Sequence, residues 1–339
     1  MMVIILPAGN VQQMRPATWS RPQPLLQVAG NTVLGHQLDL MKSATTEDVV
    51  IVTIDRQDQI QSWVRAHYPQ LNIHIIVQEE ARGAVHALWL CRDFLENYPS
   101  GLLLSTGDGL VDTDYHGLSE MAVERDAAAI LFVQAEEGPP HFPVATLDDA
   151  GTVNRLMAPT AESTDQPVIV GLTYFKNGHQ LFQIVDQILH QEPQNAPAND
   201  QFITLYNVML AQGQRLITRP VRQWSDTSGP QAMLTTNARL LSIGYHSADA
   251  IERSYAEEFL VVPPVYLHPR ATVHNAVIGP YATIGAGAVV KDAIVRHAII
   301  DAGAEIQHCI LEQALVGENA RITGRASNLF AGDNTVVQL

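Results

Sequence analysis

Up to about residue 240 the apolar positions alternate between short unbroken runs and sets at helical spacing. Met2–Leu6 is apolar without alternation, the pattern of a strand buried on both faces. Thr32–Met41 carries apolar residues at helical spacing, and Val49–Ile54 is a β-branched run. Gln57–His67 then reads as helix, Ile73–Val77 as strand, Ala84–Leu95 as helix and Leu102–Ser105 as strand. Strand and helix in alternation predict an α/β fold with a Rossmann-like, doubly wound and mostly parallel sheet, whose ligands sit at the carboxyl ends of the strands.

From Ala128 the pattern turns to strands with hairpin signals. Phe142–Thr146 and Thr152–Leu156 flank the turn Asp148-Asp149-Ala150-Gly151, an insertion expected to cap the sheet's ligand edge. Val168–Phe175 and Arg215–Pro220 read as strands, and Leu181–Leu189 and Phe202–Ala211 as helices, with a polar, proline-bearing loop over His190–Asp200. Gln231–Phe259 is helical with an interruption near Gly244. Past Pro263-Pro264 the period changes to aliphatics about six apart: Leu267, Val273, Ile278, Ile284, Val290, Ile300 and Ile306. Ile278–Thr283 and Ile284–Val289 are tandem hexads, which predict a parallel β-helix with one aliphatic per hexad pointing inward. The expected organisation is a sheet domain over 1–240, a helical connector over 241–262 and the β-helix over 263–339.

Charge narrows the partners. The 339 residues hold 35 acidic against 20 basic side chains, a formal net charge of −15, which argues against nucleic acid or an anionic membrane as partner. An anionic small ligand would need placed arginines or a divalent cation. Only two cysteines, Cys91 and Cys309, occur, without metal-ligand spacing, so buried thiols in a reducing, cytoplasmic setting are expected. The opening apolar run is about half the length of a signal-peptide core and reads as a strand.

Three loops carry candidate chemistry. After the first strand come Pro7-Ala8-Gly9, where Gly9 lets a backbone approach a nucleotide, and then Arg15 and Arg21, which can meet phosphate oxygens. Gln78–Gly83 and Thr106-Gly107-Asp108-Gly109 start at strand ends, which places Asp108 where a metal-bound phosphate would lie. A turn aspartate between glycines is the simpler account of Asp108. Asp226, in Trp224-Ser225-Asp226, is a second carboxylate with metal-reaching potential, or a helix N-cap.

Taken together, these residues resemble the sugar-1-phosphate nucleotidylyltransferases of the glucose-1-phosphate thymidylyltransferase and mannose-1-phosphate guanylyltransferase type, which carry a C-terminal left-handed β-helix. Gly9–Thr18 stands where that family has G-x-G-T-R-L-x-P-x-T, and Pro22–Asn31 where it has P-K-P-L-L-P-V-x-G-K. The resemblance implies Ala8, Gly9, Gln78, Gly83 and Asp108 as nucleotide-binding residues, with Gln78 reading the base. It implies Asp108 and Asp226 as ligands of Mg²⁺, and Gly171 and Tyr174, in Gly171-Leu172-Thr173-Tyr174-Phe175, as sugar contacts.

The departures fall on the cations. The family glycine and threonine of G-T-R are Val11 and Gln12, its arginine is Gln13, and the lysine of P-K-P is Gln23; Arg15 occupies a variable position as a possible substitute or a solvated loop residue. Removing one preorganised donor aimed at developing charge costs about 10² to 10³ in rate. The implied function is conversion of a nucleoside triphosphate and a sugar-1-phosphate to a nucleotide sugar and pyrophosphate, with impaired or altered catalysis. The alternative is an inactive relative that binds nucleotide or nucleotide sugar as a regulatory or scaffolding subunit. A homo-oligomer through the β-helix is expected, while His268, His274, His297 and His308 in the repeats read as coil corners rather than acyltransferase bases.

Overall fold

The computed structural model describes residues 1–6, 11–44, 47–135, 142–160, 163, 166–191, 198–256, 259–324 and 329–338. Its compact grouping runs across the linear order: Met1–Gly9 belongs with Gln37–Trp224, and Asn10–His36 belongs with Ser225–Leu339.

In the first unit, strands β1 (Met2–Ile5), β2 (Val49–Thr53), β3 (Ile73–Val77), β4 (Leu102–Ser105), β5 (Ala129–Gln134), β6 (Val144–Leu147), β7 (Val153–Met157), β8 (Val168–Phe175) and β9 (Leu216–Pro220) form one sheet. Its order is β7-β6-β8-β4-β1-β2-β3, with β5 pairing both β8 and β9. The run β4-β1-β2-β3 is parallel, as the unbroken apolar strands require, whereas β8 runs antiparallel to β4. Val3, Ile4 and Ile5 are essentially without exposure at its centre. The hairpin β6–β7 adds to the edge of this same sheet by pairing with β8, because an edge strand offers unpaired backbone groups that a hairpin can satisfy.

Helices cover the sheet, and three differ from expectation. The helix read over Ala84–Leu95 is two pieces, Ala84–Leu90 (α1) and Arg92–Leu95; the Cys91 N–H turns back to the Leu88 carbonyl and tightens the last turn. Helices α2 (Gly178–Gln191) and α3 (Ala198–Ala211) reach into both ends of the stretch read as loop, whose remainder, 192–197, lies outside the described residues.

The second unit contains the repeats. Three sheets, all of parallel pairs, are each built from one strand per coil. From Ala271 to Ile322 each strand reads Ala or Cys, then an outward residue, then an inward aliphatic, as in Ala282-Thr283-Ile284, Ala293-Ile294-Val295 and Cys309-Ile310-Leu311. Cys309 thus occupies an alanine position in a dry core, and burial raises its thiol to about 11 and that of Cys91 to about 12, so both are inert.

The repeat is not uniformly hexameric. Pairing offsets are 17 residues for Val265 with Ala282, 16 for Ile299 with Leu315 and 15 for Arg321 with Val336. The short steps turn on a single left-handed residue, Asn275, Asp292, His297, His308 or Gln313, with φ between 47° and 54°. Asn, Asp and His tolerate that region better than most side chains. His297 and His308 are therefore corner residues, and the inward series continues through Val295, Leu311, Val316 and Ile322, all buried.

Asn10–His36 packs on this unit. Asn237, fully buried on helix α4 (Pro230–Ser242), accepts from Ala29 N at 2.9 Å and Thr283 Oγ1 at 2.7 Å and donates to Tyr281 O at 3.0 Å. A buried amide with these partners satisfied specifies one packing. Gly30, at φ +85°, is required twice over, since a Cβ there would enter the Tyr266 ring.

The core position of Ile284 is tested by Ile284→Ala. Removing this buried side chain is expected to cost about 2–5 kcal/mol in urea denaturation; an unchanged midpoint would show that it does not fill the coil.

Candidate functional site

At the carboxyl end of β3, Gln78 N donates to Thr53 O at 2.7 Å, continuing the β2–β3 ladder by one residue. Its side chain is buried and turns forward: Nε2 donates to Gly83 O at 3.0 Å and lies 2.8 Å from His86 Nδ1. Gly83 adopts φ +87°, and a Cβ on it would collide with the amide of Gln201. Gln201 on α3 accepts from Val85 N at 3.0 Å and donates to Arg82 O at 3.2 Å, so it satisfies the start of α1. Burial and the nearby Arg82 hold His86 below the usual imidazole range, with Glu80 opposing them.

At the end of β4, Thr106 N donates to Gly171 O at 2.8 Å, and Thr106 Oγ1 donates to Asp108 Oδ1 at 2.8 Å. Gly171 sits at φ +70° where a Cβ would meet the Thr106 hydroxyl, so this glycine permits the approach of β8 to the Asp108 turn. Gly109 is packed against Trp224, and a Cβ there would lie 2.6 Å from Nε1. The structure thus brings Asp108, Gly171 and Trp224 to one strand-end region. It does not bring Tyr174 there: Tyr174 pairs with Leu103, its ring is buried, and its hydroxyl lies against Gly101. The hydroxyl is also raised by burial, with a hydrogen bond from Ser119 opposing.

In the second unit, Gln13 and Arg15 are exposed, whereas Ala8 and Gly9 lie outside the described residues. Arg21 is not free for phosphate. Its Nη2 ion-pairs with Asp301 Oδ2 and, at 3.3 Å, with Asp333 Oδ1. Burial lowers its affinity for the proton, but Asp301, Asp333 and Glu318 together outweigh that and raise it. Ser20 Oγ also donates to Asp333, and backbone Ala302 N and Glu318 N cap Asp301 and Asp333.

Gln23 is 2% exposed, and its Nε2 donates to Thr227 O at 2.9 Å. Among the described residues neither Gln23 Oε1 nor the fully buried Thr227 Oγ1 has a hydrogen-bond partner. Asp226 accepts from Ser228 N at 2.8 Å on Oδ1 and from Ser228 Oγ at 3.0 Å on Oδ2. It forms a local turn, not the N-cap, which is Gly229.

The sequence pattern described as "Nucleotidyl transferase" matches residues 2–243. The chain belongs to the nucleotidyl transferase family. It is 24% identical over 286 residues to the mannose-1-phosphate guanylyltransferase catalytic subunit beta of Drosophila pseudoobscura pseudoobscura, spanning 84% of this chain and 70% of that protein. It is 25% identical over 313 residues to the glucose-1-phosphate thymidylyltransferase of Streptomyces griseus, spanning 87% and 85%. A crystal structure of a putative glucose-1-phosphate thymidylyltransferase from Bacillus anthracis superposes with a TM-score of 0.60 at 20% identity, covering 70% of this chain and 95% of that one, and shows the shared fold.

For a member of this family, the residues missed in sequence are those that support the site from far along the chain. Gln201 follows a proline-bearing polar stretch that carried no helix signal, and His86 falls at a position read only as spacing. Asp301 and Asp333 sit among repeats, where their only signal was a carboxylate interrupting an apolar period.

Arg21→Ala would leave Asp301 and Asp333 buried without their cation, a loss expected to be about 3–5 kcal/mol at neutral pH. Asp301, already raised by burial in the native chain, would rise further in the variant. A carboxyl whose folded pKa is raised stabilises when protonated and loses that contribution as pH climbs through the folded value, so the deficit of the variant should shrink on acidification. Urea denaturation across pH checks this; a deficit independent of pH would show that the charges are not what the arginine compensates.

Proposed function

We propose that this sugar-1-phosphate nucleotidylyltransferase-like chain takes a nucleoside triphosphate and a sugar-1-phosphate, with weakened turnover. The observation that carries the reading is Gln23, the residue at the family lysine position, buried and tied to the Thr227 carbonyl. In the family reaction a sugar phosphate oxygen bonds to the α-phosphorus as its bond to the β-phosphate oxygen breaks, releasing pyrophosphate. The negative charge that gathers there calls for cations, and the positions implied for them hold Gln13 and Gln23, while Arg21 is committed to carboxylates.

The cofactor implied is Mg²⁺, which uses one or two carboxylates together with substrate phosphate oxygens. Asp108 and Asp226 offer hard oxygen donors of that kind, and among the described residues no group of three His, Cys, Asp or Glu side chains gathers to hold an ion without substrate. Mg²⁺ would neutralise phosphate charge. Within the first unit the Thr106 hydroxyl steadies Asp108, and within the second Ser228 steadies Asp226.

The buried Gln23 also favours a second reading, a catalytically silent subunit that retains nucleotide or nucleotide-sugar binding. Pyrophosphate release from the common nucleoside triphosphates, with glucose-1-phosphate or mannose-1-phosphate and Mg²⁺, separates the two: slow but substrate-dependent release supports the first, and release at the background rate overturns it. Restoring the family residues with Gln23→Lys, Gln13→Arg and Val11→Gly should raise turnover at least about tenfold. Gln23→Lys alone should cost about 1–3 kcal/mol of stability, because an ammonium replaces an amide in a dry site. An unchanged rate in the stable triple variant would favour the silent reading.

Two further readings complete the proposal. No helix among the described residues is long and apolar enough to cross a membrane, and the two free buried thiols support a cytoplasmic setting. The β-helix is proposed to pair with a second copy through the sheet whose outward column is Leu260, Val277, Ile294 and Ile310 in register; Leu260 is 65% and Ile310 46% exposed. Ile310→Lys should shift the sedimentation profile of the full chain toward monomer, and an identical profile would exclude this face.

A further inference from the structure

The Asp108 turn is held from both sides. Gln37, 2% exposed, donates from Nε2 to Gly109 O at 2.9 Å. On the other side Thr106 N donates to Gly171 O at 2.8 Å, which carries the β4–β8 ladder one residue past the pair Ser105 and Leu172. The Thr106 hydroxyl then donates to Asp108 Oδ1 at 2.8 Å. A carboxylate has about four lone-pair directions, so one bond can set its orientation without exhausting its capacity.

Strand β8 is shaped to seat that hydroxyl. It pairs Ile169 with Val133 of β5 and next Thr173 with Leu131, so a bulge intervenes, and Gly171 lies within it at φ +70°. Bulges beside functional sites serve to aim side chains, and here the side chain aimed is on the neighbouring strand. A Cβ at position 171 would stand 2.1 Å from Thr106 Oγ1, 3.2 Å from Thr106 Cβ and 3.4 Å from Thr106 Cγ2. Only glycine accepts both this angle and this contact, so the direction in which residue 171 would project is given over to Thr106.

We infer that Thr106 is a positioning residue, seated by the Gly171 bulge, whose hydroxyl sets the Asp108 carboxylate for a divalent ion carried by a bound triphosphate. Hydrogen-bond partners of a metal-binding carboxylate fix its orientation, and their removal typically costs about 10- to 100-fold in metal affinity. A hydroxyl kept only for the fold would affect triphosphate binding with and without the ion alike. A hydroxyl that sets Asp108 acts on the ion-dependent part alone. The inference rests on the proposed triphosphate binding and on Asp108 as the carboxylate that meets the ion.

Titration calorimetry of the full chain with UTP, TTP, GTP, ATP and CTP, each in excess Mg²⁺ and again in EDTA, measures how far Mg²⁺ tightens the best-binding triphosphate. The factor should be about tenfold or more in the wild type and about threefold or less in Thr106→Val, with affinity in EDTA unchanged. Thr106→Ser, which keeps the hydroxyl, should retain the wild-type factor. Gly171→Ala should lower it as Thr106→Val does, but should add no loss in the Thr106→Val background; an added loss there overturns the seating assigned to Gly171. A wild-type factor that survives in Thr106→Val, an equal loss with and without Mg²⁺, or a wild type indifferent to Mg²⁺ overturns the inference and leaves nucleotide binding intact. No binding of any triphosphate overturns the nucleotide reading and this inference with it. If Thr106→Val does not fold, Thr106→Ala set against Thr106→Ser makes the same comparison.

Discussion

The second unit depends on a guanidinium surrounded by carboxylates. Arg21 stands between Asp301 and Asp333, with Glu318 close enough to contribute, and Asp301 and Asp333 are almost completely buried. A buried carboxylate without a counter-charge is costly, so removing one member of the set destabilises the rest. Asp301 and Asp333 lie two coils apart in the β-helix, with Glu318 in the coil between, whereas Arg21 belongs to the segment that follows the first strand of the sheet. Their union, with Gln23 on Thr227 and Ala29 on Asn237, ties Asn10–His36 to Ser225–Leu339 despite the intervening residues. It also fixes what Arg21 is for: a cation with two carboxylates on it is a brace.

The first unit uses neutral hydrogen bonds for a similar purpose. Gly83 needs its glycine both for its backbone angle and for the close approach of Gln201, and Gln201 in turn satisfies the start of α1. Gln78 is bent onto the same turn, which His86 completes. Each member is short-range except Gln201, and together they hold a strand end in one shape. A parallel strand gains from this, because its loop has no partner strand to keep it extended.

The β-helix shows a third constraint, the trade between corner geometry and coil length. The step is five residues at Asn275, Asp292, His297, His308 and Gln313, and six where Gly279, Gly287, Gly303 or Asn319 occupies the corner region. Side chains that accept positive φ are therefore spread along the repeats in place of a strict hexad, and histidines among them serve backbone geometry.

The sequence by itself determined the classes of structure. Unbroken β-branched runs marked the parallel strands, helical spacing marked most of the helices, and the aliphatic period marked the β-helix, because each reflects local geometry repeated along the chain. It also showed that Gln13 and Gln23 stand where the resemblance implies cations, since that needs only residue identity. Tertiary structure decided everything that depended on a partner distant in sequence. Arg21 looked as available to phosphate as Arg15 until Asp301 and Asp333 were placed beside it. Tyr174 looked like a neighbour of Gly171 until the strand's alternation put its ring in the core beside Gly101. The opening stretch spelled out its own strand and loop, but whether its side chains face a ligand or the protein was set by residues about 200 to 300 positions away, which no local period records.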